Sequence, residues 1–471
     1  MLKVYNTLTR KKEEFKSINE KKVGLYVCGP TVYGYPHLGH AKSYISFDII
    51  HRYLKYLGYC VKYVQNITDV GHLVGDVDEG EDKIERQAKI EQTDPVAIAY
   101  NYENIYFECM DKLNIERPTI SCRATGHILE IIEAIKMLIE KDYAYVTNEG
   151  NVYFRVKKYK NYGQLSRRNI EENLSGERIE IKNDKENPDD FALWKHAEKN
   201  HIMKWPSPWG IGYPGWHIEC SVMSKKYLGE TFDIHGGGMD NIFPHHECEI
   251  AQSESLNGKS FVNYFVHNNL VTVNGQKMGK SLGNFITLPD LFKEYSPKVI
   301  RFYILLTHYR RPTDFDKEKL NEAIKNYEKI EKTYYKIKKV TVGVENKNKY
   351  DDVKNLKNQF IEAMNDDFNT ALAISYIYEA IKLANSELNN SEKDIYKLKY
   401  LESFIEESAI NILGLELEEQ ENKKDEELLN FILDLRSELR NNKNYELSDK
   451  IRDELTKLGY EVNDRKTDKN L

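Results

Sequence analysis

The sequence predicts an α/β fold, in which a doubly wound parallel sheet carries an insertion and is followed by a mostly α-helical region. Near the N-terminus, two short apolar runs flank a segment with helical spacing, the pattern of parallel strands joined by a helix. Residues 205–252 are dense in Gly, His, Trp and Cys, a composition typical of a functional site and unusual for a core. After residue 320, Lys, Glu, Tyr and Ile recur with helical period, which indicates a helical region beyond the sheet.

The first structural unit is the most clearly patterned. Residues 23–28 form an apolar run that stops at a Gly-Pro pair, which predicts a buried strand ended by a turn. Apolar residues recur at helical spacing from Gly39 to Leu57, and residues 60–67 have the composition of a second strand. A strand, a helix and a second strand form a right-handed crossover, which opens a Rossmann-like sheet.

The middle of the chain is predicted to be mixed. Helices are expected over residues 84–115 and 124–142, followed by a hairpin that pairs residues 143–147 with 151–156. Residues 151–170 hold six basic side chains and no acidic one. A solvated rim and a contact with an RNA backbone both remain open for this basic stretch.

The C-terminal region is predicted to be helical, with a linker at residues 343–352 and helices over 353–387, 392–413 and 424–441. One apolar stripe in the last helix consists of Leu428, Ile432, Leu435 and Leu439. Basic residues at near-helical spacing in the preceding helix are Lys325, Lys329, Lys332 and Lys336. These lysines form either an RNA-binding face or a solvated face.

Composition excludes several classes of protein. The 471 residues suffice for about three domains. The mean hydropathy is −0.65 and no apolar run approaches the ~20 residues of a membrane helix. The first residues, Met1 to Phe15, lack the apolar segment of a secretory signal. The six cysteines are sparse and unevenly spaced, as in thiols or metal ligands of the reducing cytoplasm, where we expect the protein. With a net charge of −7, nucleic-acid binding would require local basic patches.

The segment Pro30–His40 is a candidate phosphate site, because it joins the first strand to the N-terminus of the following helix. Unpaired N–H groups and the positive end of the helix dipole favour an anion there. Gly39 allows a ligand to approach the backbone closely. His37 and His40 can both donate to one bound phosphate. Two surface histidines in a turn are the alternative explanation of this segment taken alone.

A second candidate phosphate site is Lys277-Met278-Gly279-Lys280-Ser281. Lysine is a point-charge partner of phosphate on a flexible stem, so Lys277 and Lys280 on a glycine-containing loop suit a polyphosphate chain. An exposed basic loop without a ligand is the alternative explanation.

Four further residues have the chemistry of metal ligands: Cys28, Cys220, His245 and Glu249. Pro244 is a plausible helix start, and the spacing of four residues puts His245 and Glu249 on one helical face. Two thiolates, an imidazole and a carboxylate suit zinc. His246 and Cys248 are also candidates, and ordinary burial of these residue types is the alternative.

Together these motifs resemble a known family. His-Leu-Gly-His at 37–40 is similar to the HIGH signature of class I aminoacyl-tRNA synthetases, and Lys-Met-Gly-Lys-Ser at 277–281 is similar to their KMSKS signature. Each differs at one position, Leu38 for Ile and Gly279 for Ser. With the Cys28 turn, Trp-His-Ile-Glu-Cys-Ser, His-Gly-Gly-Gly and Pro-His-His-Glu-Cys-Glu-Ile-Ala-Gln-Ser, the chain resembles cysteinyl-tRNA synthetases over most of residues 20–315.

The resemblance implies a reaction and its cofactors. ATP with Mg²⁺ would activate L-cysteine as cysteinyl-adenylate, and the cysteinyl group would pass to the 3′-terminal adenosine of tRNA(Cys). The zinc ligands would be Cys28, Cys220, His245 and Glu249. Zinc separates cysteine from serine because it binds a thiolate readily, whereas a hydroxyl stays protonated at neutral pH.

The resemblance also implies roles for the remaining site residues. His37, Gly39, His40 and Lys280 would bind ATP, with Lys277 assisting the departing pyrophosphate. Thr68, Trp216 and His235 would contact the substrate and Asp240 the adenosine. For Trp216, an ordinary buried tryptophan remains an equal alternative.

We expect the protein to be a monomer. The resemblance also implies a division into domains with defined boundaries. They are a catalytic first half (1–122), a connective insertion (123–204), a catalytic second half with the metal ligands (205–262), a stem-contact region (263–325), a helical bundle for the anticodon and stem (326–415) and a small C-terminal domain (416–471). A cysteine ligase that uses a small amine acceptor is the alternative function. The long helical region argues against it, since a small acceptor requires no such reach.

Overall fold

A computed structural model describes residues 1–74, 80–168, 184–199, 201–279, 282–346, 350–417 and 420–458, and the side chains of residues 420–427 lie outside that description. Lys280, residues 347–349 of the predicted linker and the end of the predicted C-terminal domain therefore also lie outside it.

The strands of the described segments are numbered β1 to β15 in chain order. They are Lys3–Asn6, Lys11–Glu14, Lys22–Val27, Cys60–Ile67, Ile120–Arg123, Ala144–Val146, Val152–Phe154, Phe191–His196, Trp205–Ser207, Gly210–Pro214, Phe232–Gly238, Val262–Asn268, Val271–Val273, Gln276–Lys277 and Thr313–Phe315.

The α-helices of the described residues are numbered α1 to α14 in the same way. They are Leu38–Tyr56, Lys83–Glu91, Pro95–Lys112, Ile128–Glu140, Trp216–Leu228, His245–Asn257, Leu288–Glu294, Pro297–Leu305, Lys317–Val340, Asp351–Asn365, Thr370–Asn389, Ile395–Ile405, Gln420–Asn441 and Tyr445–Lys457.

The central sheet has five parallel strands in the order β12-β11-β3-β4-β5. The predicted strand-helix-strand unit is confirmed as β3, α1 and β4. From β3 the chain first builds outward through β4 and β5, then returns to the other side of β3 with β11 and β12. The strand order therefore reverses between β3 and β11. Open parallel sheets bind ligands beyond the carboxyl ends of their strands at such a switch point.

Helix α1 lies between this sheet and the C-terminal helices, and it is buried on almost all sides. Its Asp48 is fully buried and accepts hydrogen bonds from Arg301 Nη2 (2.5 Å) and Arg52 Nε (2.8 Å). Burial alone would raise the pKa of Asp48, but the guanidinium groups of Arg301 and Arg52 hold it below its ordinary value. Arg301 also donates to the carbonyl oxygens of Leu113 and Leu413, so it joins α1 to two distant segments.

An antiparallel sheet in the order β6-β7-β8-β10-β9 extends from the predicted insertion, residues 123–204, into residues 205–214, which form β9 and β10. The predicted hairpin is confirmed, since β6 and β7 pair in antiparallel register with Ala144 opposite Phe154. The insertion is attached to α6 by Glu247, whose buried carboxylate accepts from the backbone N–H groups of Gly163 (2.9 Å) and Ser166 (2.8 Å).

A small sheet in the order β14-β13-β15 carries Lys277 next to the start of α1. Backbone hydrogen bonds connect the segment after this sheet with the turn before α1, from Leu38 N to Ile286 O (3.2 Å) and from Leu288 N to Pro36 O (2.8 Å). The two candidate phosphate-binding segments are therefore neighbours in space.

The prediction of one helix over 84–115 is wrong, because α2 ends at Glu91 and α3 begins at Pro95. Gln92 adopts a left-handed conformation with φ 53°, and Asp94 caps α3 by accepting from Val96 N at 2.8 Å. A proline at the first helical position and an aspartate before it favour a new start there.

The prediction of one helix over 353–387 is also wrong, since α10 ends at Asn365 and α11 begins at Thr370. Between them, Asp367 and Phe368 have left-handed φ values of 66° and 53°. The Asp367 carboxylate accepts from Tyr5 N (2.8 Å), near the N-terminus, and from Arg310 Nε (2.5 Å), which precedes the helical region. This long-range docking breaks the helix.

The last two helices form a hairpin in which Arg436 Nε donates to Ser448 O at 3.3 Å. The predicted apolar stripe of α13 is not enclosed in a core, since Leu428 and Leu435 are 56% and 40% exposed. Within the described part of the chain, no helix combines the length and the hydropathy needed to cross a membrane.

Candidate active site and metal centre

A cleft of about 380 Å³ opens at the carboxyl end of β3, at the point where the strand order reverses. Its lining includes these residues predicted for the site: Cys28, His37, Gly39, His40, Trp216, Asp240 and Lys277. The remaining predicted residues in the described part of the chain are not in the lining: Thr68, Cys220, His235, His245 and Glu249. Those five are at most 2% exposed and lie beneath the floor of the cleft.

His37 and His40 form the N-terminal cap of α1. His37 Nδ1 accepts from Gly39 N at 3.1 Å, and His40 Nδ1 accepts from His37 N at 3.2 Å. The two rings stack with centroids 3.8 Å apart. An acceptor nitrogen carries no proton, so in each neutral ring the proton is on Nε2 and can be donated to a ligand.

Burial favours the uncharged form of His40. Burial, and then the proximity of His37, lower the pKa of His40 well below its ordinary value. Gly39 is required by the packing of the pair, because a Cβ at this position would lie 2.9 Å from His37 Cε1. The turn therefore offers neutral N–H donors next to the N–H groups of a helix start, which suits a phosphate that gains charge during a reaction.

The lysine loop lies next to the histidine turn, since a Cβ at Gly39 would lie 3.7 Å from Met278 Cε. Lys277 is exposed, and both Lys277 and Met278 line the cleft. Asn284 holds the loop, accepting from Gly279 N at 2.9 Å and donating to Lys277 O at 3.2 Å. Lys277 is thus anchored through its backbone while its side chain remains accessible to an anion.

The four predicted metal ligands converge at the cleft, where Cys28 is in the lining and the other three are buried behind it. Cys28 directly follows β3, Cys220 lies on α5, and His245 and Glu249 lie on α6. One ligand atom from each lies within 4.8 Å of those of the other three. Glu249 Oε1 is 3.2 Å from His245 Nε2 and 3.7 Å from Cys28 Sγ.

The donor set fits a soft divalent cation. Burial, and then the neighbouring Cys220, raise the pKa of the Cys28 thiol well above its ordinary value, and burial also raises the pKa of Cys220. A cation in this group would reverse that effect, because metal coordination favours the thiolate over the thiol. Two thiolates, an imidazole and a carboxylate form the set that zinc accepts.

A second group of potential ligands shares two members with the first: Cys28, His235, His246 and Glu249. We favour the group with Cys220, because a second thiolate makes it softer. His235 Nε2 is 2.8 Å from Glu249 Oε2, which leaves Oε1 facing His245 and Cys28. His246 Nδ1 is in turn 2.7 Å from His267 Nε2. These histidines are therefore suited to orienting the ligands.

Thr68 and Glu219 form a buried pair beside the cysteines. Thr68 Oγ1 donates to Glu219 Oε2 at 3.2 Å and accepts from Asn66 Nδ2 at 3.1 Å. Burial raises the pKa of Glu219 well above its ordinary value. Thr68 therefore supports the floor of the cleft.

The triple glycine at the end of β11 is required by close packing. A Cβ at Gly236 would lie 2.2 Å from Cε1 of Phe47, a fully buried residue of α1. The run ends at Gly238, and Asp240 follows in a short 3₁₀ turn at the rim of the cleft. The glycines let α1 approach the strand that leads to this turn.

Among the residues of the cleft wall, Thr31, His72 and Lys83 received no individual role in the sequence interpretation. Thr31 lies in the turn after β3, and His72 follows the carboxyl end of the adjacent strand β4. The rule that the carboxyl ends of neighbouring parallel strands share one sheet edge would have indicated both residues.

Comparisons with known proteins identify the family of the chain and agree with its fold. Residues 14–325 match the family described as tRNA synthetases class I (C) catalytic domain, and residues 359–418 match the DALR domain. The chain is 50% identical to a cysteine--tRNA ligase of Chlorobaculum tepidum over 98% of this chain and 97% of the relative. It is 48% identical to a cysteine--tRNA ligase of Bacteroides fragilis over 99% of this chain and 97% of the relative.

A solved structure supports the fold alone. The methionyl-tRNA synthetase of Mycobacterium tuberculosis in complex with methionyl-adenylate superposes with a TM-score of 0.62 at 14% identity. The superposition covers 84% of this chain and 91% of that one.

Proposed function

The chain belongs to the cysteine–tRNA ligase family of class I tRNA synthetases, and from this we propose that it joins L-cysteine to the 3′-terminal adenosine of tRNA(Cys), using ATP. The observation that carries the proposal is a buried group of two thiols, an imidazole and a carboxylate below a cleft whose rim bears the paired histidines and Lys277. The buried group can select a thiol, and the histidines and Lys277 at the rim can bind a polyphosphate.

The first step forms cysteinyl-adenylate. A carboxylate oxygen of cysteine attacks the α-phosphorus of ATP, a new P–O bond forms, and pyrophosphate departs. The Nε2–H groups of His37 and His40 donate to phosphate oxygens as charge accumulates on them. Since both rings are held through Nδ1, they need no reorientation during the step.

Pyrophosphate departure requires cationic partners. In the proposal Lys277 and Lys280 contact the departing phosphates, and Mg²⁺ accompanies ATP as a hard cation suited to phosphate oxygens. Gly39 admits the nucleotide to the helix start, and Asp240 at the rim accepts from the adenosine.

Zinc would be held by Cys28, Cys220, His245 and Glu249, and when bound it would supply selective affinity for the thiolate of the substrate. Around it, His235 holds Glu249, and Trp216 lines the cleft and packs against His245. Size exclusion alone would separate cysteine from serine weakly, because such small differences are worth only ~1–3 kcal/mol.

In the second step a hydroxyl of the terminal adenosine attacks the activated carbonyl carbon, and AMP leaves. The helices from α9 onward would carry the body of the tRNA, with the DALR domain at residues 359–418 as part of that surface. Because the metal group needs reduced thiols, we further propose the cytoplasm as the compartment.

One experiment tests this function directly. ATP–pyrophosphate exchange is measured with cysteine, serine and the other amino acids, and the metal content of the same sample is determined. We expect exchange with cysteine alone and about one zinc per chain. Zinc-free protein that activates serine as readily as cysteine would refute the proposal. The rate at which the cysteinyl group is transferred to tRNA(Cys), compared with the rate of its transfer to small amines, tests the identity of the acceptor.

A further inference from the structure

His72 is a buried residue of the cleft wall that the proposed reaction does not use. It is 7% exposed and follows the carboxyl end of β4. Its ring stacks face to face on Trp216, with ring centroids 3.9 Å apart and an interplanar angle of 13°. Trp216 also packs against His245, one of the proposed metal ligands, with ring centroids 4.3 Å apart.

Hydrogen bonds at both ring nitrogens define the protonation of His72. Lys83 Nζ lies 2.7 Å from His72 Nε2, and an ammonium group can only donate. The ring therefore accepts at Nε2 and, being neutral, carries its proton on Nδ1. Nδ1 lies 2.5 Å from Thr31 Oγ1, so the ring donates to this hydroxyl oxygen.

This arrangement determines what Thr31 can offer a ligand. Since the Thr31 oxygen accepts from His72, its own hydrogen points away from the ring, and Thr31 lines the cleft. Thr31 lies in the same turn as Cys28, and its backbone forms a parallel bridge with Thr68. It is therefore on the amino-acid side of the cleft. The α-ammonium group of an amino acid can only donate, so the carboxylate is the backbone group that can accept from Thr31.

The loop that carries His72 is held by its backbone independently of the ring. Lys83 N donates to His72 O at 3.0 Å, and Val74 N donates to Glu81 O at 3.0 Å. Asp82 accepts from Gly71 N at 2.9 Å. Closure of the loop does not require an imidazole, so the paired nitrogens of His72 call for another explanation.

We propose that His72 is a positioning residue for the amino-acid substrate, holding the Thr31 hydroxyl as a donor to the substrate carboxylate and the Trp216 ring against the metal group. The inference rests on the proposed function, since it takes cysteine as the substrate. Lys83 fixes the tautomer of the His72 ring. His72 in turn orients the Thr31 hydroxyl, and this hydroxyl contacts the substrate carboxylate.

The test measures ATP–pyrophosphate exchange for wild type, His72→Ala, His72→Asn and His72→Gln. Asn places an amide near the position of Nδ1 and can still donate to Thr31, whereas Gln places its amide near Nε2. We expect His72→Ala to raise KM for cysteine about tenfold, the order of one lost hydrogen bond, with KM for ATP changed less than about twofold. His72→Asn should recover most of the loss, and His72→Gln should not.

A matched control is His127, which is 5% exposed and also bonded at both nitrogens, to Arg123 O (2.7 Å) and Tyr227 Oη (2.9 Å). It is not in the cleft lining, so His127→Asn should leave both KM values unchanged. If His72→Ala does not fold, Thr31→Val carries the test and must raise KM for cysteine selectively. Where both single variants fold, the double variant His72→Ala, Thr31→Val should raise KM for cysteine no more than the more strongly affected single variant does.

The outcomes separate this inference from the proposed function. Equal behaviour of His72→Asn and His72→Gln, or equal changes in KM for ATP and cysteine, would overturn the positioning role. A normal KM for cysteine in Thr31→Val would do the same. Absence of cysteine-dependent exchange in the wild type would overturn the proposed function and this assignment together.

Discussion

At the scale of single residues, the paired histidines at the start of α1 act on both the helix and the ligand. Their Nδ1 atoms complete the helix cap, and both residues line the cleft. A helix cap contributes about 1 kcal/mol to stability, whereas one donor to a charged transition state contributes about 3–4 kcal/mol. The two functions can therefore be separated by substitution.

We expect His40→Asn to lower kcat of ATP–pyrophosphate exchange about 10²-fold or more while thermal stability stays near that of wild type. Asn can still accept from His37 N, but it has no group at the position of Nε2. His40→Ala should lose both the rate and some stability. Exchange kinetics and thermal unfolding measure the two effects, and a rate loss that only parallels the loss of stability would contradict the assignment.

Cys28 is the proposed metal ligand that also lines the cleft. Cys28→Ser replaces a soft thiolate by a hydroxyl that stays protonated, so we expect zinc content to fall and KM for cysteine to rise more than KM for ATP. Cys109→Ser is the control, because Cys109 is also buried but belongs to neither ligand group. Elemental analysis and exchange kinetics on one sample give the answer. A Cys28→Ser protein with full zinc and normal kinetics would remove Cys28 from the ligand set.

At the scale of elements, the segment between α10 and α11 joins the helical region to the N-terminal part of the chain. His308 contacts this junction through Nε2, which is 3.0 Å from Asp367 O. Burial lowers the pKa of His308 to about 4, although Asp367 acts in the opposite direction. The folded protein thus keeps this ring neutral under conditions in which an unfolded chain, with a histidine pKa near 6.5, would begin to protonate it.

The stability from this neutral histidine should therefore be fully present above about pH 6.5 and lost as pH falls toward about 4, by at most about 3 kcal/mol. His308→Gln has no titrating ring, so its unfolding temperature should fall less steeply between these pH values. The exposed His196 provides a control, and His196→Gln should keep the wild-type slope. An unchanged slope in His308→Gln would show that other groups dominate the acid dependence.

The sequence predicts the elements whose pattern is local and misses those set by distant contacts. The apolar runs and helical spacing of residues 23–67 suffice for β3, α1 and β4. The break at Asp367 was missed because it depends on Tyr5 and Arg310, far away in the sequence. Likewise, the chemistry of the metal ligands is visible in their residue types, whereas the role of His72 appears only when Trp216 stacks on it.

At the scale of the whole molecule, a net charge of −7 must be reconciled with an RNA partner. Helix α9 buries its apolar face, including Tyr327, Ile330 and Ile337. The predicted basic residues of this helix, Lys325, Lys329, Lys332 and Lys336, are all exposed. Lys332 pairs with Glu328 at 3.2 Å, which leaves the other three as the better candidates for phosphate contacts.

If this face binds the tRNA backbone, the triple variant Lys325→Gln, Lys329→Gln, Lys336→Gln should weaken tRNA binding and reduce the slope of log K against log[salt] by about 2–3. ATP–pyrophosphate exchange, which needs no tRNA, should be unchanged. Lys259→Gln is the control, since Lys259 is exposed but lies outside the helical region. An unaltered salt slope would identify the face as merely solvated.

The contact between Gly236 and Phe47 has a consequence for the evolution of this protein. A methyl group at position 236 would strike the aromatic ring at 2.2 Å, and both partners belong to the framework beneath the cleft. Position 236 therefore cannot change first: Gly236→Ala should be tolerated only where Phe47 has already become smaller. The two sites are epistatic, and a mutational library covering both should recover them as a co-varying pair.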